Sequence, residues 1–245
     1  DVKLTMRTGV TLAALLIPLQ IVVGDLHGLN TLQHQPAKVA AMEGIWQTQK
    51  GAPMTLFGLP DEAARETRYA IEVPKLASLV LTHKLDGEVK GLDEFAGQHP
   101  PVAPVFFAFR LMVGVGLLML AVSWIGWWQL RPNSRRPEPS PLLTGALLAM
   151  AFSGWVAVLA GWYTTEIGRQ PWLVYGVLTT AQAAGPVPAP TIALTLAIYI
   201  AMYLALTVAY VATVFRLARK VAAVEESRSA TGALPASARM GVASA

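Results

Sequence analysis

Glu166 stands near the end of an apolar run, within Gly161-Trp162-Tyr163-Thr164-Thr165-Glu166-Ile167-Gly168-Arg169-Gln170-Pro171-Trp172. A carboxylate at the end of a membrane span is costly unless a cation, a metal or water offsets its desolvation, so it is read first as part of a site. A glutamate that simply reaches interfacial water would look the same in isolation. Its neighbours separate the two readings: Trp162 lies one turn earlier on the same helical face, and Arg169 follows three residues later.

A second cluster is Phe109-Arg110-Leu111-Met112. An arginine within an apolar helix needs a partner, either a carboxylate or an anionic cofactor group. Met112 can serve as adaptable core filler. Gly116, one turn along the same face, also leaves flat space where a porphyrin could lie with the thioether as axial ligand. Gly114 and Gly116 would equally permit close helix packing. The third cluster is Lys38 and Glu43, on a helix that Pro36 opens and that spans about 37–49. Five residues apart, their side chains diverge by roughly 140° and lie outside salt-bridge spacing. Both a solvated amphipathic surface helix and a polar pair flanking a small-molecule cleft fit that spacing.

The elements that position these residues are membrane spans. With 54% hydrophobic residues, 14% charged residues and a mean hydropathy of +0.47, the chain is too apolar for an ordinary soluble domain. Apolar runs at about 8–23, 105–130, 142–165 and 192–215 are long enough to cross a bilayer. The first carries Pro18 and Gln20 after Lys3 and Arg7, the pattern of a secretory signal as well as of a span. Without a small-x-small cleavage site before Gly24-Asp25 it reads as a true span whose N-terminal partners are missing from this chain.

Lys3 and Arg7, then Arg131, Arg135 and Arg136, then Arg216, Arg219 and Lys220 fall on one side of alternating spans, which marks that side as cytoplasmic. Residues 24–103 and 166–191 then face outward, and residues 221–245 read as a disordered cytoplasmic tail. The net charge of +4 sits beside the spans rather than in one stripe, which argues against a nucleic-acid partner. Zero cysteines exclude disulfides, thiolate-bound zinc, iron–sulfur clusters and covalently attached c-type haem. His27, His34, His83 and His99 all fall in the outer segment, without helical metal-ligand spacing, and read as solvated. In that segment Phe57-Gly58-Leu59-Pro60-Asp61 reads as a turn, and Asp86-Gly87 and Lys90-Gly91 as punctuation. The fold class that follows is an all-α integral membrane protein. Four transmembrane helices of a larger bundle, at 1–23 and within 104–220, are expected, with a partly helical outer loop at 24–103.

Taken together, these stretches resemble subunit I of the cytochrome bd family of terminal quinol oxidases. Gly168-Arg169-Gln170-Pro171-Trp172 with Trp162 and Glu166 is similar to the family signature near its high-spin haem. Phe107-Ala108-Phe109-Arg110-Leu111-Met112 is similar to its low-spin haem helix, and Lys38-Val39-Ala40-Ala41-Met42-Glu43 to the start of its quinol loop. Gly24-Asp25 and Thr55-Leu56-Phe57-Gly58-Leu59-Pro60 fit as well. The resemblance covers essentially this whole chain but only the C-terminal half of the family's subunit, and the compact 24–103 segment is similar to short-loop members, some called cyanide-insensitive oxidases.

The resemblance implies that Met112 is an axial ligand of haem b558 with Arg110 beside it. It implies that Glu166 ligates haem b595 with Trp162 and Arg169 nearby, and that Lys38 and Glu43 act in quinol binding and oxidation. It implies haem d, or a third haem b, at the oxygen site, ubiquinol or menaquinol as substrate, and dioxygen as acceptor. Subunit II and a small accessory subunit are the implied partners, in the bacterial cytoplasmic (inner) membrane, with proton motive force generated without pumping. The family's histidine ligands to haem b558 and haem d lie in N-terminal helices absent here, so this chain alone is not expected to reduce oxygen. Two rival classes remain. One is a transporter or channel subunit with Glu166 and Arg110 as a coupling pair; the other is a non-catalytic membrane scaffold.

Overall fold

The computed structural model describes residues 2–131 and 139–232; Arg135, Arg136 and the 233–245 part of the expected tail lie outside the described residues. The chain forms two compact units, Asp1–Ala184 and Gly185–Ala245. The first opens with α1 (Val2–His34), which continues past Gly24 and Asp25. Glycine inside a helix costs only about 1 kcal/mol, so it slows a helix without ending it. Pro36 supplies the stop: the ring displaces Gln35 from the helical region, to φ −142° and ψ 61°. His27 and His34 are therefore exposed residues on the last turns of α1, which corrects the expectation that all four histidines lie off the spanning helices.

Next comes α2 (Pro36–Glu43), shorter than the 37–49 helix expected. Gly44 ends it with a left-handed φ of 71°, and a Cβ there would stand 2.9 Å from the Phe106 ring, so only glycine fits. Ala37, Lys38, Val39, Ala40, Ala41 and Glu43 are all buried, which rules out the solvated surface helix. The outer segment then holds β1 (Gln49–Lys50), β2 (Met54–Asp61), β3 (Glu66–Val73), α3 (Leu76–Thr82), β4 (Glu88–Val89) and a 3-10 turn at Leu92–Phe95. β1 pairs antiparallel with β4, and β2 with β3 from Met54↔Val73 to Asp61↔Glu66.

That hairpin corrects the turn expected at Phe57–Asp61, since those residues are strand. A two-stranded ladder has only edge strands, where a proline without an N–H is tolerated. The register slips between Phe57 and Leu59, leaving Gly58 against Thr67 with no room for a Cβ. The turn itself is fixed by Asp61 Oδ1, which accepts the N–H groups of Ala63 and Ala64 at 3.0 Å each.

α4 (Val102–Leu130) and α5 (Pro141–Ile167) form a helical hairpin, and Ser140 caps α5 by accepting the Leu143 N–H at 3.3 Å. Their contacts run in opposite order, Met112 beside Gly161, Ser123 beside Met150 and Gly126 near Leu143, so the helices are antiparallel. α1 packs on α4 where Val10 lies 3.0 Å from a Cβ built at Gly126. A core of Ala40, Ala41, Leu92, Val102 and Val105, with Met42, Trp46 and Ile167 against it, fastens α2 and the 3-10 turn onto the loop ends of both helices. Beyond α5 a short ladder of β5 (Trp172–Val174) and β6 (Leu178–Thr179) leads to α6 (Thr180–Ala183). The second unit is one helix, α7 (Ala189–Gly232). Among the described residues four helices are long and apolar enough to cross a membrane: Lys3–His34, Val102–Leu130, Pro141–Ile167 and Ala189–Leu217.

Candidate functional site

Arg110 anchors the first half of the site. Glu62 Oε1 accepts the Val102 N–H at 2.6 Å and so caps the loop end of α4, two turns from Arg110. The guanidinium then spends its donors on backbone carbonyls from three segments. Nη1 donates to Met42 O at 2.6 Å and Phe106 O at 3.3 Å, Nη2 to Glu43 O at 3.4 Å, and Nε to Thr55 O at 3.0 Å, with Nη2 sharing that last oxygen. It also lies 3.4 Å over the Phe106 ring. The carboxylate Oε2 of Glu43 is 3.8 Å from Nη2, with the two side chains 15% and 6% exposed. Arg110 thus finds a carboxylate partner, but at ion-pair rather than hydrogen-bond distance. Burial pushes the Glu43 carboxyl above the usual range, and Arg110 only partly opposes it.

Lys38 faces the other way from α2, as five-residue spacing requires. Buried at 7% exposure, it lays its stem across Gly168, where a Cβ would stand 2.9 Å from Lys38 Cγ and close to the Thr164 carbonyl. Burial lowers its pKa, the Arg169 cation lowers it further, and Glu166 opposes both. Arg169 and Glu166 pair at 3.6 Å, half-exposed, at 39% and 51%. Lys38, Gln35, Arg169, Gln170, Trp172 and Tyr175 line a small cleft. Two of its polar atoms, Gln35 Oε1 and Arg169 Nε, are buried without a hydrogen-bond partner. The Tyr175 phenol there is pushed up, chiefly by burial. Lys38 flanks this cleft; Glu43 does not.

Met112 lies between α4 and α5, its sulfur over Gly161. Glu166 is five residues nearer the loop end of α5, about 7–8 Å at 1.5 Å per residue, so both side chains fall in the loop-side half of their helices. Trp162, 63% exposed, and Glu166 stand on the open face of α5. Glu166 and Arg110 are not a pair: each is bonded to a different partner. Spacing gave no sign of Gln35, Tyr175, Glu62 or the packing roles of Gly161 and Gly168. Their partners are distant in sequence, and a glycine announces no neighbour.

The residues fit a haem-binding role. Among the described residues nothing lies within 4 Å of a Cβ at Gly114 or Gly116, so neither glycine serves packing among them, and at Gly116, one turn along the Met112 face, α4 is flat and open. A thioether is an axial donor type. Among the described residues no three His, Asp or Glu gather to hold a metal ion. A porphyrin, which brings its own four nitrogens, needs only single donors such as Met112 and Glu166.

A family model described as cytochrome bd terminal oxidase subunit I matches residues 2–222. The chain belongs to that family. It is 33% identical over 174 residues to the cytochrome bd ubiquinol oxidase subunit 1 of Bacillus subtilis (strain 168), covering 66% of this chain and 37% of that one. It is 28% identical over 228 residues to the cytochrome bd-II ubiquinol oxidase subunit 1 of Escherichia coli (strain K12), covering 66% of this chain and 44% of the relative. The bd oxidase structure from Geobacillus thermodenitrificans superposes with a TM-score of 0.72 at 29% identity, over 89% of this chain and 49% of that chain. The chain thus spans about half the length of that structure and less of these relatives. With its four apolar helices, membership makes it a multi-pass protein of the bacterial membrane from a haem-containing oxidoreductase family.

Proposed function

We propose that the chain carries the quinol-oxidising face and electron-accepting positions of a membrane quinol:dioxygen oxidoreductase. Lys38 and Glu43 act on the quinol, Met112 with Arg110 serves haem b558, and Glu166 with Trp162 and Arg169 serves haem b595. The supporting observation is the Arg110 clamp, which fastens the Glu43 segment to the helix that carries Met112 two residues further on. An acid that accepts the phenolic proton is thereby held beside the electron-accepting position.

Glu43 suits proton acceptance because its raised pKa brings it closer to the working pH, where a base is most effective. Lys38 presents a cationic donor from the opposite side of α2 and orients a quinol oxygen. Arg110, tied to carbonyls, holds Glu43 in place without forming a tight hydrogen bond to its carboxylate. The haems, once bound, supply the electron transfer and dioxygen reduction. The 24–103 segment faces the periplasm, in keeping with the one-sided Lys and Arg clusters. Protons leave there while those for water enter from the cytoplasmic side, so charge separates without a pump. Ubiquinol and menaquinol both fit this chemistry. The remaining ligands, haem d or a third haem b, subunit II and an accessory subunit complete the enzyme.

The test is a reduced-minus-oxidised spectrum of the complete subunit in its complex. Met112→Leu is expected to remove the low-spin b signal and Glu166→Ala the b595 signal. Unchanged spectra in both variants would overturn the ligand assignments.

A further inference from the structure

Gly154 and Gly161 recur at seven-residue spacing on α5, with its C-cap Gly168 seven residues further on, and their surroundings differ. A Cβ at Gly154, or at Gly145 a little earlier, would meet nothing within 4 Å. At Gly161 it would stand 2.8 Å from Met112 Sδ and 3.7 Å from Met112 Cγ. Carbon atoms in van der Waals contact sit about 3.5–4.0 Å apart, and sulfur is larger, so that Cβ would intrude by roughly 1 Å. The atom it meets is the far end of a flexible side chain, so the helices need not separate: the thioether is what moves. Metal–ligand distances hold to about 0.2 Å, so such a displacement is large on the scale that matters for a ligand.

We propose that Gly161 is the positioning residue of the Met112 thioether, its bare Cα being the seat that fixes where the sulfur stands. This rests on the reading of Met112 as an axial ligand and extends it to a residue on the neighbouring helix. Gly161 precedes Trp162 and lies five residues before Glu166. One short stretch of α5 therefore sets the sulfur on α4 while it presents its own carboxylate. A substituted side chain at 161 pushes the thioether off its station and leaves Glu166, on a more loop-side turn, in place.

The experiment uses the full-length subunit in its complex and compares Gly161→Ala, Gly154→Ala and Met112→Leu by redox difference spectra and potentiometric titration. Gly161→Ala is expected to lower low-spin haem occupancy roughly tenfold, the scale for residues that orient a metal ligand, and to retain the b595 signal. Gly154→Ala is expected to leave both signals unchanged. If Met112→Leu leaves the low-spin signal intact, the ligand reading falls, and the seat with it. If Met112→Leu removes the signal while Gly161→Ala leaves its band and midpoint unchanged, the seat alone falls. Should Gly161→Ala fail to accumulate, Met112→Ala in the same chain removes the sulfur it collides with. Recovered accumulation and melting temperature then support the seat, and no recovery overturns it.

Discussion

Two of the arginine–glutamate pairs among the described residues lie at the loop side of the helices with similar separations, 3.8 Å for Arg110–Glu43 and, at the end of α5, 3.6 Å for Arg169–Glu166. Their surroundings make them different objects. The first is closed: its side chains are 15% and 6% exposed, and the guanidinium is occupied by the carbonyls of Met42, Thr55 and Phe106. The second is open, with a carboxylate 51% exposed and Arg169 Nε lacking a hydrogen-bond partner. A closed pair places its acid and holds the fold together. An open pair leaves its acid free for a ligand.

Breaking the closed pair has the largest expected effect. Arg110→Ala strands a buried carboxylate and several carbonyls, and removing one partner of a buried pair costs about 3–5 kcal/mol. Thermal melting of the complex should show this loss, with Arg110→Lys intermediate because an ammonium lacks the planar fork. If Arg110→Ala melts no lower than Arg169→Ala, the distinction between closed and open is lost.

Removing only the charge of the closed pair separates its two roles. Glu43→Gln is expected to slow quinol oxidation roughly 100-fold or more, the usual contribution of a positioned base. In the unsubstituted protein the rate should rise with pH as Glu43 loses its proton, at a pH above the ordinary carboxylate range, and Glu43→Gln should flatten that limb. Stability runs the other way. Because the folded pKa is raised, the stability tied to this group is fully present below the unfolded pKa and disappears as pH rises through the folded one. Glu43→Gln should therefore melt higher than the parent at alkaline pH and close to it in acid. A variant that loses rate without this pH-dependent gain would show that Glu43 is not buried as a charge.

The open pair should respond in the opposite sense. Glu166→Gln is expected to abolish the b595 signal while changing stability by less than about 1 kcal/mol, as half-exposed pairs contribute little. A large drop in melting temperature without spectral change would make it a structural pair after all.

What the sequence disclosed follows the same division. The spans were legible because some twenty apolar residues have few other uses. Lys38 and Glu43 pointing apart followed from 3.6 residues per turn alone. Glu166 and Arg169 were legible because three residues on one helix place them together. The closed pair was not, since Glu43 and Arg110 meet only after a strand, a hairpin and a 3-10 turn fold between them. Gly24 misled because a glycine in an apolar helix yields to the tertiary context, whereas Pro36 does not. Pro60 misled because proline marks a turn only where the ladder needs its N–H, and an edge strand does not.

A smaller effect tests whether carbonyl clamps of the Arg110 kind are general in this bundle. Pro18 lies inside α1 and has no N–H, so the Ala14 carbonyl loses its helical partner. Trp124 Nε1 from α4 donates to that oxygen at 3.1 Å, which joins the two helices at the end of the bundle away from the loop. One neutral indole on one carbonyl is worth far less than a charged fork on three segments: interhelical hydrogen bonds in membranes average about 0.6 kcal/mol. Trp124→Phe should lower the melting temperature by correspondingly little and leave the haem spectrum and pH profile unchanged. Pro18→Ala restores an N–H one turn from Ala14, so the carbonyl recovers its own helix and no longer needs the indole. In that background Trp124→Phe should become close to neutral, giving a coupling that a double-mutant cycle measures directly. If Trp124→Phe costs the same with or without Pro18, the indole contributes by packing rather than by its hydrogen bond, and clamping of stray carbonyls is confined to Arg110.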